Sequence, residues 1–158
     1  MVSLLATGVI QSSRPTVTSV GVPADATYVA GQNLDFTVNF SEAVLVDASG
    51  GTPRIALTLD TGGTVHASYL SGSGSTALVF RLAVAAGQLD IDGIAVAASL
   101  DANGGTLRDA VGNDAAPALN AVASTAGVRI DAIAPTVSGV DVPPDAAYNE
   151  GDVLSFTV

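Results

Sequence analysis

Leu34-Asp35-Phe36-Thr37-Val38-Asn39-Phe40 alternates apolar and polar at every step. Successive side chains of a strand point to opposite faces, so this run has one apolar face and one polar face. It predicts a β-strand with one buried side. The reading extends outward. Ile55, Leu57 and Leu59 alternate with Arg54, Ala56 and Thr58. Leu78, Phe80, Leu82 and Val84 alternate with Ala77, Val79, Arg81 and Ala83. Val65-Ala67-Tyr69, Ile94-Val96 and Val128-Ile130 predict three more strands. In the first strand Val17 is followed by Val20 and Val22, one break of parity that predicts a bulge or a change of sheet. Gly50-Gly51, Gly62-Gly63 and Asn103-Gly104-Gly105 mark turns between the runs. Ser71-Gly72-Ser73-Gly74-Ser75 predicts a flexible hairpin loop. Asp109-Ala110-Val111-Gly112-Asn113 predicts one helical turn capped by Asp and Gly. No segment sustains a helical period.

Residues 14–38 read RPTVTSVGVPADATYVAGQNLDFTV, and residues 134–158 read APTVSGVDVPPDAAYNEGDVLSFTV. At an offset of 134 − 14 = 120 they share 14 of 25 positions without a gap. A fixed period of this kind marks a tandem repeat. Ala6-Thr7-Gly8-Val9 precedes Pro15 much as Thr125-Ala126-Gly127-Val128 precedes Pro135. The expected organisation is the tail of a preceding repeat in residues 1–13, one complete repeat in 14–133 and a truncated start of the next in 134–158. Residues 134–158 hold only two strands of a domain, so their apolar side is expected to lack its opposite sheet. About seven short strands per repeat predict an all-β, immunoglobulin-like antiparallel sandwich. With no Cys or Trp in the chain, its core must be Val, Leu, Ile and Phe packed between sheets.

Composition removes several functions. Five Arg against fifteen acids in 158 residues give a net charge of −10. That sign repels phosphate backbones and argues against nucleic acid as a partner. Zero Cys excludes disulfide frameworks and thiolate chemistry, and a single His excludes a His-cluster metal site. No apolar run approaches the roughly 18 residues of a membrane span. The first ten residues hold no base, unlike the n-region of a secretory signal.

The acids are not evenly spread. With strands running alternately up and down from Pro15, Asp25, Asp60, Asp90, Asp92 and Asp131 fall at one pole, in segments with no base. Carboxylates gathered this way repel one another unless a cation neutralises them. Hard oxygen ligands suit Ca²⁺, so Asp90, Asp92 and Asp131, with Asp25 and Asp60 beside them, are the candidate metal ligands. Glu42 is expected at the opposite pole, and Gln11 stands where the next repeat has Asp131. Asp90-x-Asp92-Gly93 is no EF-hand: position 6 is Ala95 and position 12 is Asp101. His66 is expected on an exposed strand face, with no nucleophile or orienting acid beside it in the sequence. No catalytic residue is expected. The four Phe fall in inward-facing registers or map onto one, and Tyr28 and Tyr148 are equivalent, so no aromatic sugar platform is predicted.

Several motifs occur in a characteristic order: Pro15-Thr16-Val17, Ala30-Gly31, Leu34-Asp35-Phe36-Thr37-Val38, Phe40-Ser41-Glu42-Ala43-Val44 and Ala56-Leu57-Thr58-Leu59. Tyr69 with Ser71-Gly72-Ser73-Gly74, Asp90-Ile91-Asp92-Gly93-Ile94 and Asp109-Ala110-Val111-Gly112-Asn113 continue it. Together they resemble the bacterial Ig-like tandem repeats of large surface proteins and adhesins, of the SWM type associated with swimming motility. The resemblance covers 14–133 and resumes at 134. It implies an extracellular, cell-surface location, a stalk or spacer role, and neighbouring repeats of the same chain as partners. It implies no catalytic residues. A carbohydrate- or surface-binding module, or an accessory domain of a secreted enzyme, is the alternative expectation.

Overall fold

The computed structural model describes residues 13–158. Residues 1–12, with Gln11 and most of the expected preceding repeat, lie outside the described residues. Ten strands follow in order: β1 (Val17–Gly21), β2 (Ala26–Tyr28), β3 (Asn33–Asp47), β4 (Arg54–Thr58), β5 (Thr64–Ser71), β6 (Ser75–Ala83), β7 (Leu89–Asp90), β8 (Ala95–Asp101), β9 (Thr106–Arg108) and β10 (Val128–Asp131). No helix occurs among the described residues. The larger sheet has the order β1-β3-β6-β5-β4-β8, with β9 on the far half of β3. The smaller sheet has the order β2-β10-β7. The chain is an all-β, sandwich-like fold.

The alternating runs explain the core. Leu34, Phe36 and Val38 of β3 lie opposite Leu82, Phe80 and Leu78 of β6, and all six are buried, as are Ile55 and Leu57 of β4. Ile94, Val128 and Ile130 close the core on the side of the smaller sheet. Each fully buried Leu, Ile or Phe contributes roughly 1.5–3 kcal/mol by leaving water. Tyr69 meets Phe80 edge-on, with ring centroids 5.9 Å apart at 71°.

The parity break in the first strand does both things open to it. The register slips between Val17 and Ser19. The chain then leaves β3, its partner in the larger sheet, and joins β10 in the smaller one as β2. That second pairing is parallel: Ala26, Thr27 and Tyr28 lie opposite Val128, Arg129 and Ile130. Three expectations change as a result. The strands do not simply alternate up and down, because the first strand continues past Asp25. There are ten strands rather than about seven, since β2, β7 and β9 span only two or three residues each. The sandwich also contains one parallel pair.

Two loops differ from their expected form. The Ser71–Ser75 loop is pinned: Ser73 N–H donates to the Tyr69 hydroxyl at 2.9 Å, Val46 N–H donates to Ser73 Oγ at 2.9 Å, and Ser75 Oγ donates to Gly72 O at 2.8 Å. The 109–113 segment is a tight turn, not a helical one. Asp109 Oδ1 accepts from the N–H groups of Val111 at 3.0 Å and Asn113 at 2.8 Å, which fulfils the capping role in a shorter structure.

The second copy reproduces the first bond for bond. The Tyr148 hydroxyl donates to Pro144 O at 2.6 Å, as that of Tyr28 donates to Ala24 O at 2.9 Å. Asn149 N–H donates to Asp152 Oδ2 as Val29 N–H donates to Gln32 Oε1. Asp141 bridges Thr157 as Gly21 pairs with Thr37. Gly151 takes φ 97° where Gly31 takes 87°. Burial differs sharply. Phe36 is 0% exposed and Phe156 61%; Val38 is 0% and Val158 81%. The local sequence therefore dictates the hairpin, and the burial of the first copy comes from the strands packed against it, β6 foremost.

Candidate functional site

The acidic pole is assembled from the β4–β5 turn and from β7. After β4 the chain turns through Leu59-Asp60-Thr61, and Thr61 N–H donates to Leu89 O at 3.1 Å, tying this turn to β7. Asp60 Oδ2 accepts from Ile91 N–H at 2.9 Å, and Asp90 Oδ1 accepts from Gly93 N–H at 2.8 Å. Asp60, Asp90 and Asp92 each bring a carboxylate oxygen within 4.8 Å of the others. Asp60 and Asp92 are exposed, whereas Asp90 is 2% exposed. Burial pushes the Asp90 carboxyl above its ordinary range. The N–H groups of Gly93 and Asp60 pull it down, while the charges of Asp60 and Asp92 add to the rise.

Not all the predicted ligands meet. Asp90 and Asp92 join Asp60, but Asp131 stands outside the cluster: it lies opposite Leu89, and its Oδ1 accepts from Ile133 N–H at 3.3 Å. Asp25 is elsewhere, against Gly127 at the start of β10. Asp131 ends that strand, four residues on, or roughly 13 Å away along it. The cause is the continuation of the first strand into β2. The turn at the pole is Val29–Gln32, closed by Gln32 N–H to Val29 O, and not the segment holding Asp25.

A Ca²⁺ ion takes 6–8 oxygens. Asp60, Asp90 and Asp92 offer one each within the cluster, half of the smallest shell, and carbonyls or water would supply the rest. The donor set is chemically suited to a hard cation, and to no soft one.

Apart from the acidic cluster, a concavity lies near the end of the larger sheet where β1 begins. It encloses about 310 Å³ and is lined by Phe40, Leu100, Leu107 and Pro117, with the Arg108–Asp114 ion pair at 2.6 Å among its walls. These residues come from β3, β8, β9 and the following loop, so no local pattern announces the cavity. His66 is half-buried rather than exposed, opposite Ala56 of β4. It adds a minor share to the lowering of the Asp101 carboxyl, which the hydrogen bonds from Arg54 and Asn103 dominate. Tyr28 and Tyr69 spend their hydroxyls on the backbone, at Ala24 and Ser73.

No family model, curated protein or solved structure matches the chain. Among the described residues, no helix is long and apolar enough to cross a membrane.

Proposed function

We propose that residues 14–133 are a non-catalytic structural repeat, a stalk or spacer unit in a tandem array of a large bacterial adhesin-like or motility-associated surface protein. The observation that carries this reading is the duplication at an interval of 120 residues, in the hydrogen bonds as well as in the sequence. The parallel β2–β10 pair supports it. β2 closely follows the start of the unit and β10 ends it, and both point the same way. The chain therefore enters at one pole and leaves at the other, the geometry that strings units end to end. The extracellular location and the Ig-like, SWM-type affiliation rest on the sequence resemblance.

Reading the coding sequence on both sides of these residues tests the proposal. Further copies at the same interval, each with the Pro-Thr-Val start, are expected; flanks without them would overturn it. A carbohydrate- or surface-binding module is the competing reading. A glycan array separates the two, because dose-dependent binding by this chain favours the module.

Within the proposed array, Asp60, Asp90 and Asp92 are where Ca²⁺ would be held near a repeat junction. Their mutual approach favours this.

A further inference from the structure

The sequence holds one Asn-Gly pair, Asn103-Gly104. It is the tip of the connection from β8 to β9, in a turn closed by Gly105 N–H donating to Ala102 O at 2.8 Å. Asn103 has φ 49° and Gly104 φ 86°, the two positive values that a type I′ turn requires. Asn103 N–H donates to Asp101 Oδ1 at 2.8 Å, and Asn103 Nδ2 donates to Thr52 O at 3.1 Å. The N–H of Gly104, at the centre of the turn, takes part in none of these bonds. Both residues are exposed.

This turn interlocks with a second one. Gly51 N–H donates to Ala48 O at 3.1 Å, closing a turn that lies against the first. A Cβ at Gly51 would clash with Asn103 O, and a Cβ at Gly104 would stand 2.6 Å from Gly50 O. Main chain therefore packs on main chain, with no side chain between. The Asn103 Nδ2 bond to Thr52 O ties one turn to the other.

An Asn side chain followed by glycine is open to attack by its own backbone, because glycine has no Cβ to shield the amide nitrogen. The structure separates this pair from the only Asp-Gly pair in the chain, Asp92-Gly93. There the Gly93 N–H is taken up by Asp90 Oδ1 at 2.8 Å, and an ionised carboxylate has no leaving group to offer.

We propose that Asn103-Gly104 is a self-modification site, at which the chain deamidates and thereby unlocks its own paired turns. Asn103 Nδ2 first leaves Thr52 O. Gly104 N then bonds to Asn103 Cγ as the Cγ–Nδ2 bond breaks. The proton lost from Gly104 N ends on the departing nitrogen, which leaves as ammonia. Water opens the resulting succinimide ring, at Cγ to give aspartate or at the Asn103 backbone carbonyl to give isoaspartate. Loss of ammonia to solvent makes the change one-way. Aspartate sets a carboxylate oxygen against Thr52 O, two acceptors with no proton between them. It also adds a negative charge beside Asp101, which Arg54 already engages at 2.8 Å. Isoaspartate lengthens the main chain by one carbon where Asn103 O has no room against Gly51. Ala102 and Gly105 line the cavity described above, so unlocking the turns also loosens its wall. The proposal does not depend on where the array is displayed or on what it binds.

Ageing the 158-residue chain for weeks at mildly alkaline pH, then digesting it after Arg for mass spectrometry, tests it. The peptide Leu82–Arg108 contains Asn103 as its only Asn. A mass gain matching replacement of NH₂ by OH is expected there, with fragment ions placing it at position 103. Conversion should be slower in the folded chain than in urea, because the Thr52 bond must open first. Asn103→Gln should show no gain. Freshly purified Asn103→Asp supplies the aspartate product directly and should melt about 2–6 °C below the wild type. The aged wild type should develop a lower-melting fraction in proportion to its conversion. A folded chain that gains no mass while the urea-unfolded chain converts overturns the proposal, as does an equal gain in Asn103→Gln. Equal midpoints for Asn103→Asp and the wild type, with no lower-melting fraction on ageing, refute the unlocking.

Discussion

Phenylalanine occurs at two equivalent positions of the duplicated hairpin, and truncating each to alanine separates burial from local sequence. Phe36 is fully buried opposite Phe80, which in turn receives the edge of Tyr69. Phe156 has the same neighbours in sequence but is 61% exposed. Removing a buried Phe side chain costs about 3–5 kcal/mol, the lost transfer energy plus the cavity left among neighbours that cannot fully collapse. A folded unit of this size has an unfolding entropy of about 250 cal/mol/K at its midpoint. Phe36→Ala should therefore lower the melting temperature by about 12–20 °C. Against a total stability of about 6–18 kcal/mol, the variant stays folded at room temperature with a much reduced margin. Phe156→Ala should change stability by less than about 0.5 kcal/mol. Thermal and urea unfolding followed by circular dichroism measures both. Equal shifts for the two variants would refute the claim that only the first copy is enclosed. A shift below about 4 °C for Phe36→Ala would refute the packing of β3 on its neighbours.

Four further outcomes are expected. Asp90 is held above its ordinary range chiefly by burial, so its charged form penalises folding at neutral pH; the penalty fades as pH falls through the folded value and is gone below the ordinary Asp range. Asp90→Asn should accordingly be more stable than wild type at pH 7, with the difference vanishing in acid; equal stability at both ends of a pH series of urea melts would contradict this. Millimolar Ca²⁺ should raise the melting temperature of the wild type and release or absorb heat in a calorimetric titration, and Asp60→Asn with Asp92→Asn should abolish both; no heat and no shift in the wild type would sink the cation reading. Gly93 has φ 112°, and a Cβ there would stand 2.6 Å from both Ala126 Cα and Thr125 O, so Gly93→Ala should destabilise by about 3 kcal/mol in chemical denaturation. Asp109 is 4% exposed and accepts from two backbone N–H groups, so Asp109→Ala should cost about 2 kcal/mol in the same assay, and a cost near zero would show that the turn closes without it.

The parts of the fold legible in the sequence are those written in local period. Leu34–Phe40, Ile55–Leu59 and Leu78–Val84 alternate over several residues, and their inward sets are the ones buried. The slip after Val17 was legible for the same reason, since a bulge costs one step of parity. β2, β7 and β9 were not, because two or three residues carry no period; they are strands only because a neighbour pairs with them. Parallel pairing of β2 with β10 joins residues about a hundred apart and leaves no local mark. That omission also decided how much of the acidic pole could be read. Asp60, Asp90 and Asp92 follow from the order of the loops, whereas Asp25 was misplaced by assuming that the first strand had already turned back. The cavity beside Arg108 and Asp114 draws on four segments and was invisible for the same non-local reason.

The parallel pair also determines how the unit answers to tension. Pulling the two ends apart drags β2 and β10 past each other lengthwise. The Ala26 N–H to Gly127 O bond at 3.0 Å and the two bonds joining Val20 to Ala121 and Ala123 are then loaded together rather than peeled in turn. Breaking them together demands more force than unzipping an antiparallel hairpin from its end, and forced unfolding is governed by that barrier and not by equilibrium stability. A unit with no disulfide is thereby suited to hold under load applied along the line joining its two ends.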